Sequence, residues 1–487
     1  MIIRLHARLQ FVACLLAAAT WMWLGAAGLW AHPQHGDSEA QPSQKAREKP
    51  APAPSSPTPP VPGAPQPFAA SELPDRIVLT WTGDPARSIA VIWRTAASVG
   101  EGWGQIAPAG DGPTFTRHAR QVKAQTVRVQ TDRGVVCYHT VRFEGLEPGT
   151  KYAYRVGDGA ERWSEWNQFR TAAAGAEPFT FVYFGDAQNL LRSMWSRVVR
   201  EAFADAPRAA FFLHAGDLVN RGNRDVEWGQ WFYAGGFAMR MIPTVATPGN
   251  HEYVRLPGGR GLTPLWRPQF AFPEHGPPGL EETVYYIDYQ GVRIISLNSN
   301  EKHREQAAWL EKVLAENPNR WTIITYHHPM YSASRGRDNP HLRRLWQGIF
   351  DRYGVDLVLQ GHDHTYARSR LMTAADTLAG KPSPEPERNV PTGTAARSPG
   401  GTVYVVSVSG PKMYRLAHRP YMRRAAENTQ LYQIITVDGF HLRYEARTAA
   451  GRLYDAFLLQ KRPGRPNHLV ELVPEVPQRL RRLGTAD

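Results

Sequence analysis

Five short apolar runs in this chain each end in a polar cluster built of metal-ligand residue types. The clusters are Gly185-Asp186-Ala187-Gln188, Gly216-Asp217, Gly249-Asn250-His251-Glu252, His327-His328-Pro329 and Gly361-His362-Asp363-His364. Carboxylate, imidazole and amide oxygen donors suit divalent ions that activate water, provided positions stay open for substrate. Asp217 sits in the Gly-Asp element best placed to bridge two ions, with Asp186 on the first and Asn250 and His327 on the second. His362 and His364 are spaced i, i+2, so on one tight loop both face the pair. Only Asp186 and Asp217 carry charge in this set. Two divalent ions, two carboxylates and one hydroxide leave a single net positive charge, which attracts a phosphoester anion. A lone Gly-Asp is usually a turn and a lone buried His a core residue. The order of all five, each behind an apolar run, carries the signal.

The elements that must position these residues are legible around them. Phe179 to Phe184 and Ala209 to Leu213 have the pattern of buried strands, and Leu191, Trp195, Val198, Val199 and Ala202 share one helical face. Strands alternating with helices form a parallel sheet, and ligands bind beyond the carboxyl ends of its strands. Residues 177–462 keep this β-α character, with a hairpin over 284–298, a helix over 303–314 and strands at 321–326, 402–408 and 431–437. Residues 374–401 are rich in Pro, Thr, Ser and Gly and read as an inserted surface loop. Upstream, residues 72–173 hold short alternating strands with turn signals such as Glu147-Pro148-Gly149, the pattern of an all-β sandwich with Trp81 and Trp93 in its core.

The ends of the chain differ from both regions. Residues 1–31 carry Arg4 and Arg8 before an uncharged apolar run, the pattern of a signal peptide or an uncleaved signal anchor. Either reading puts the remainder outside the cytoplasm, in the periplasm, at the cell surface or secreted. Residues 32–71 form a Pro-rich linker, and residues 463–487 read as a loosely ordered basic tail. The formal net charge of +13 is spread over scattered arginines, which fits small phosphorylated substrates better than specific nucleic-acid binding. Cys14 and Cys137 are the only cysteines, so no Cys-based metal site exists.

The cluster order resembles the calcineurin-like metallophosphoesterase superfamily. Within it the chain resembles the purple acid phosphatases: Ser88-Ile89-Ala90-Val91-Ile92-Trp93 and Gly145 to Tyr152 are similar to their fibronectin type III-like amino-terminal module, and His327-His328-Pro329-Met330-Tyr331 to their His-x-Pro-x-Tyr. The resemblance implies a four-layered α/β/β/α sandwich behind the β domain. It implies Asp186, Asp217 and His364 on one metal, and Asp217, Asn250, His327 and His362 on the other. By the same resemblance His251 protonates the leaving group, and a metal-bridging hydroxide attacks phosphorus.

Two positions depart from that family. Asn220 stands where purple enzymes have a metal-binding Tyr, and Gln188 where other superfamily members have a His. Either the Gln188 amide oxygen or water fills the ligand position, or Gln188 only hydrogen-bonds a ligand. Without the phenolate, a divalent pair (Fe, Mn or Zn) is expected, and no purple colour. Arg335 and Arg337 stand where plant-type enzymes place substrate-binding histidines, which makes them candidate phosphate clamps. The expected activity is hydrolysis of phosphate monoesters. Phosphodiesters or nucleotides are the alternative substrates, and a surface-binding protein with a vestigial metal site is the alternative class.

Overall fold

The computed structural model describes residues 66–379 and 400–480; the proposed signal and most of the Pro-rich linker lie outside them. Two four-stranded sheets come first. One orders its strands Asp75–Thr80, Ile89–Ala96, Gly134–Phe143 and Gln125–Thr131, the other Arg120–Lys123, Trp103–Pro108, Lys151–Gly157 and Asn167–Arg170. Val91, Val141 and Phe143 of the first meet Ile106, Tyr154, Val156 and Phe169 of the second in one core. Trp93 is buried there, stacked on His139 at 5.1 Å, whereas the equally buried Trp81 packs on Phe211 and Tyr289 of the layers that follow. This is an all-β sandwich.

Two seven-stranded sheets follow. In the first, Thr244–Ala246, Phe212–His214 and Phe179–Phe184 run parallel, and Leu431–Asp438, His441–Thr448, Leu453–Arg462 and Arg465–Glu471 extend it antiparallel. In the second, Val292–Ser296, Trp321–Tyr326, Leu357–Gln360 and Thr402–Val406 are parallel neighbours. Side chains alternate across a strand, so a sheet buried on both faces needs apolar residues at every position. The second sheet shows this directly. Ile294, Ile323, Leu357 and Val405 join the core shared with the first sheet. Their neighbours Ile295, Ile324, Val358 and Tyr404 turn the other way, onto Leu310 and Leu314 of the helix His303–Ala315 and Phe350 of Gly348–Tyr353. Beyond the first sheet, Trp195, Val198 and Val199 and, from the helix Asp225–Gly235, Trp231 pack on Phe184 and His214. The layers are therefore helix, sheet, sheet, helix.

Three expectations need correction. The donor-bearing strands belong to two mixed sheets, not to one parallel sheet. The tail is not loose from residue 463: Gly464, at φ +69°, closes a turn, and Arg465–Glu471 pairs antiparallel with Leu453–Arg462 as the edge strand. Its exposed Arg465 and His468, together with Pro466, suit an edge, where they block further pairing. The segment read as an inserted loop begins with a short helix, Ala374–Ala379.

The sandwich is fastened to the helix–sheet–sheet–helix layers by buried charge. Asp225 accepts from both Arg76 terminal nitrogens at 2.7 and 2.8 Å and from Arg94 at 3.0 Å, and its side chain is only 3% exposed. Asp225→Ala leaves Arg76 without a carboxylate in a buried junction, whereas Arg94 keeps Asp75 at 2.9 Å. It is expected to cost about 3–5 kcal/mol in denaturant unfolding. A loss below about 1 kcal/mol would show that the junction does not depend on this triad.

Candidate metal centre

The five clusters leave the carboxyl ends of five strands, three in the first sheet and two in the second. Ser409 donates its backbone N–H to the Asp186 carbonyl at 3.0 Å, and Tyr183 donates its hydroxyl to the Gln360 carbonyl, tying the two sheets together beside the donors. Glycine at two cluster positions is a matter of space. A Cβ on Gly249 would lie 2.1 Å from Asp217 Oδ1, and one on Gly361 2.3 Å from Asp186 Oδ1. Asp217 and His362 themselves sit in the left-handed region, at φ +51° and +72°. Such backbone costs energy and persists where surrounding structure enforces it.

Two donor groups result. In one, Asp217, His327 and His362 each offer an atom within 4.8 Å of the others; in the second, Asp186, Asp217 and His364 do the same. Asp217 belongs to both. Its Oδ2 lies 3.2 Å from His327 Nε2, and Asp186 Oδ2 lies 3.2 Å from His364 Nε2. Asn250 Oδ1 completes the first group, 3.1 Å from His327 Nε2 and 2.8 Å from His362 Nδ1.

Backbone carbonyls set the tautomers, because a carbonyl only accepts. His327 Nδ1–H donates to Ala215 O at 2.9 Å and His364 Nδ1–H to Lys412 O at 2.8 Å, so in the neutral ring each Nε2 turns a lone pair inward. His251 Nδ1–H donates to the Asn220 carbonyl, and its Nε2 lies 3.9 Å from Asp217 Oδ2, outside both donor groups.

The donor set fits metal ions. His327 Nε2, His362 Nδ1 and Asn250 Oδ1 crowd within 3.2 Å of one another, a convergence that a cation among them satisfies. The Gln188 amide lies in the second group, its Nε2 2.6 Å from Asp217 Oδ2 and 3.4 Å from His364 Nε2, while its Oε1 is buried without a partner. Turning the amide over presents that oxygen to a cation, so both readings of Gln188 have geometric support.

The charges point the same way. Burial pushes the Asp186 carboxyl well above the usual range; His327 opposes this and Asp217 adds to it. Burial also works against Asp217, yet the His327 charge and hydrogen bond and the nearby His251 hold it well below. Burial lowers His327 as well, but Asp217 and Asp186 outweigh it and raise His327 to about 9. Burial pushes His364 down to about 3 and, together with the His327 and His328 charges, lowers His362. The proton drawn to His327 marks where positive charge is stabilised, and a metal ion competes for that place.

Arg337 and Arg335 are not equivalent. Arg337 gives Nε to Asp363 Oδ1 and one terminal nitrogen to the His362 carbonyl, both at 2.9 Å. Nε and one Nη2 hydrogen are thus committed, which leaves only the Nη1/Nη2 edge for an anion. Arg335 is exposed.

Sequence reasoning assigned no task to Glu252 or Asp363, although both lay inside quoted clusters. Glu252, fully buried, accepts from Asp217 N at 2.9 Å, Gly249 N at 2.7 Å and Val219 N at 3.3 Å. Burial and the Asp217 charge push it up to about 8. Asp363 accepts from Ser332 Oγ and the Ala333 and Ser334 amides, pinning the 332–337 loop to the loop carrying His362 and His364. A carboxylate beside metal ligands was the available signal; its burial was not.

A β-sandwich followed by a four-layered domain with two donor groups sharing one Asp is the build of a metallophosphoesterase. The calcineurin-like phosphoesterase family model matches residues 179–366, and that for the purple acid phosphatase N-terminal domain matches residues 74–171. An uncharacterized protein of Mycobacterium tuberculosis is 29% identical over 66% of each chain, and a purple acid phosphatase of Glycine max is 29% identical over 53% of this chain and 58% of its own. The chain thus spans just under two thirds, or less, of these relatives. Among solved structures, a purple acid phosphatase from yellow lupin (Lupinus luteus) seeds matches 80% of this chain and 74% of its own, with TM-score 0.64 and 19% identity. Residues 179–366 thus resemble the calcineurin-like phosphoesterases, and together with residues 74–171 the chain is similar to the purple acid phosphatases that carry an amino-terminal β domain.

Proposed function

We propose that this protein is an exported, metal-dependent hydrolase of phosphate monoesters. The observation that carries the reading is the sharing of Asp217 between two donor groups, with His251 Nε2 3.9 Å away and outside both. Asp186, Asp217, His364 and, through its amide oxygen, Gln188 would hold one ion; Asp217, Asn250, His327 and His362 would hold the other. When bound, such a pair supplies an activated water and positive charge for the phosphoryl oxygens.

The chain's own residues do the rest. The carbonyls of Ala215 and Lys412 aim the imidazoles, and Glu252 holds the Asp217 and Asn250 loops in register through their amides. His251, oriented by the Asn220 carbonyl, delivers a proton from Nε2 to the departing alkoxide oxygen. Only two carboxylates belong to the donor set, so the loaded site keeps a net positive charge and favours an anionic ester over its neutral alcohol product. Asn220 offers no phenolate, which suits divalent ions. The apolar run of residues 1–31 supports export to the periplasm, cell surface or medium.

Elemental analysis of the purified protein, paired with aryl monoester and diester hydrolysis in Mn²⁺, Zn²⁺ and Fe²⁺, tests this reading. The expected outcome is two metal equivalents per chain and a monoester rate above the diester rate. A much faster diester reaction would replace the substrate class. Failure of all three metals to support turnover would leave a binding protein with a vestigial site.

A further inference from the structure

The two loops over the His364 side of the site are zipped together, and the seam is cationic. Ser334 and Leu416 form an antiparallel bridge, Ala417 N–H donates to Ala333 O at 2.7 Å, and Tyr421 donates its hydroxyl to the Ser332 carbonyl. Arg335, in the turn directly after Ser334, and Arg415, directly before Leu416, flank this isolated bridge, both exposed. A second pair lies closer in. Arg337 and Lys412 both approach the Tyr414 ring, at 5.0 and 5.4 Å from its centroid. That ring packs against His364 at 4.5 Å, and Tyr414 N–H donates to the His364 carbonyl at 2.9 Å.

Nearby acids are otherwise engaged. Asp363 is buried and pairs with Arg337, Asp338 pairs with Arg343, and Glu427 Oε1 accepts the Leu416 N–H. Among the described residues Arg335, Lys412 and Arg415 enter no ion pair. Four cations thus stand on one rim of the proposed phosphate site, with one carboxylate paired among them.

The geometry points to a subsite for a second phosphate of the substrate, formed by Lys412 and Arg415 with Arg335 and the free edge of Arg337. This rests on the phosphoesterase reading and deepens it. The metal pair compensates the scissile phosphate, whereas a further phosphate brings charge that needs its own cations. Lys412 and Arg415 meet it as charge-assisted donors, and the anion offsets the mutual repulsion of the clustered cations, of which Arg337 and Lys412 share the Tyr414 ring. The second phosphate could sit on the first as an anhydride or elsewhere on a carbon skeleton.

The test compares wild type with Lys412→Ala/Arg415→Ala, a double substitution that leaves the Lys412 carbonyl on His364 in place. Tripolyphosphate represents the anhydride source, fructose 1,6-bisphosphate the carbon-borne one, and p-nitrophenyl phosphate the substrate with a single phosphate. The double variant is expected to lose about tenfold or more in kcat/KM on at least one of the first two, chiefly through KM, and far less on the third. Lys412→Arg/Arg415→Lys should restore the preference, and added salt should erode it in wild type. Calorimetric titration of tripolyphosphate into both proteins gives a readout independent of turnover, with weaker binding expected in the variant. Equal losses on all three substrates, or equal tripolyphosphate affinity in both proteins, would overturn the subsite. A wild type inert toward p-nitrophenyl phosphate with every metal would instead sink the phosphoesterase reading, and the titration would still decide the subsite.

Discussion

Asp217→Asn is expected to empty the centre of at least one metal and to lower kcat/KM on aryl phosphates by roughly a thousandfold. The size follows from the several kcal/mol of transition-state charge stabilisation that a bound metal supplies. Asp217 is the residue to test because it alone enters both donor groups. Asn keeps the volume and can still accept from the His251 amide, which Asp217 Oδ1 holds at 2.9 Å. Folding is therefore preserved better than with Ala, and a thermal melt alongside elemental analysis separates collapse from loss of metal. Two metal equivalents with a near-normal rate would rule out Asp217 as the bridging ligand.

His251→Ala should leave metal content intact while cutting kcat by about 10²–10⁴-fold, the range for a positioned general acid. The split between the two readouts rests on position, since His251 Nε2 stands outside both donor groups and its Nδ1 is spent on Asn220. The leaving group supplies a sharper criterion. An alkyl phosphate, whose alkoxide must be protonated, should lose far more than p-nitrophenyl phosphate, whose phenolate departs unaided. Equal losses on both esters would assign His251 a structural task. A drop in bound metal would make it a ligand.

Much of this was legible along the chain. Ligand residues directly follow apolar runs, so strand and donor are read in the same few positions, as at Phe184-Gly185-Asp186 and Gln360-Gly361-His362. The edge strand Arg465–Glu471 escaped notice because its basic residues and Pro466 hide the strand pattern, and only the neighbouring strand gives it a place. Glu252 and Asp363 were visible as letters but not as anchors. Their effect comes from amides of Asp217, Gly249, Ala333 and Ser334, and a sequence does not state which amides face inward.

The chain by itself determined which chemistry was possible. Residue type fixes the donors, and the two-residue period of a strand fixes where each run must be buried, both of which are local properties. Only the folded chain decided that three donor strands lie in one sheet and two in another. It also decided that Asn220 aims His251 through its carbonyl, and that the loops carrying Arg335 and Arg415 close against each other. Those are contacts between segments tens to hundreds of residues apart, set by how two sheets pack, and no short stretch of sequence encodes them.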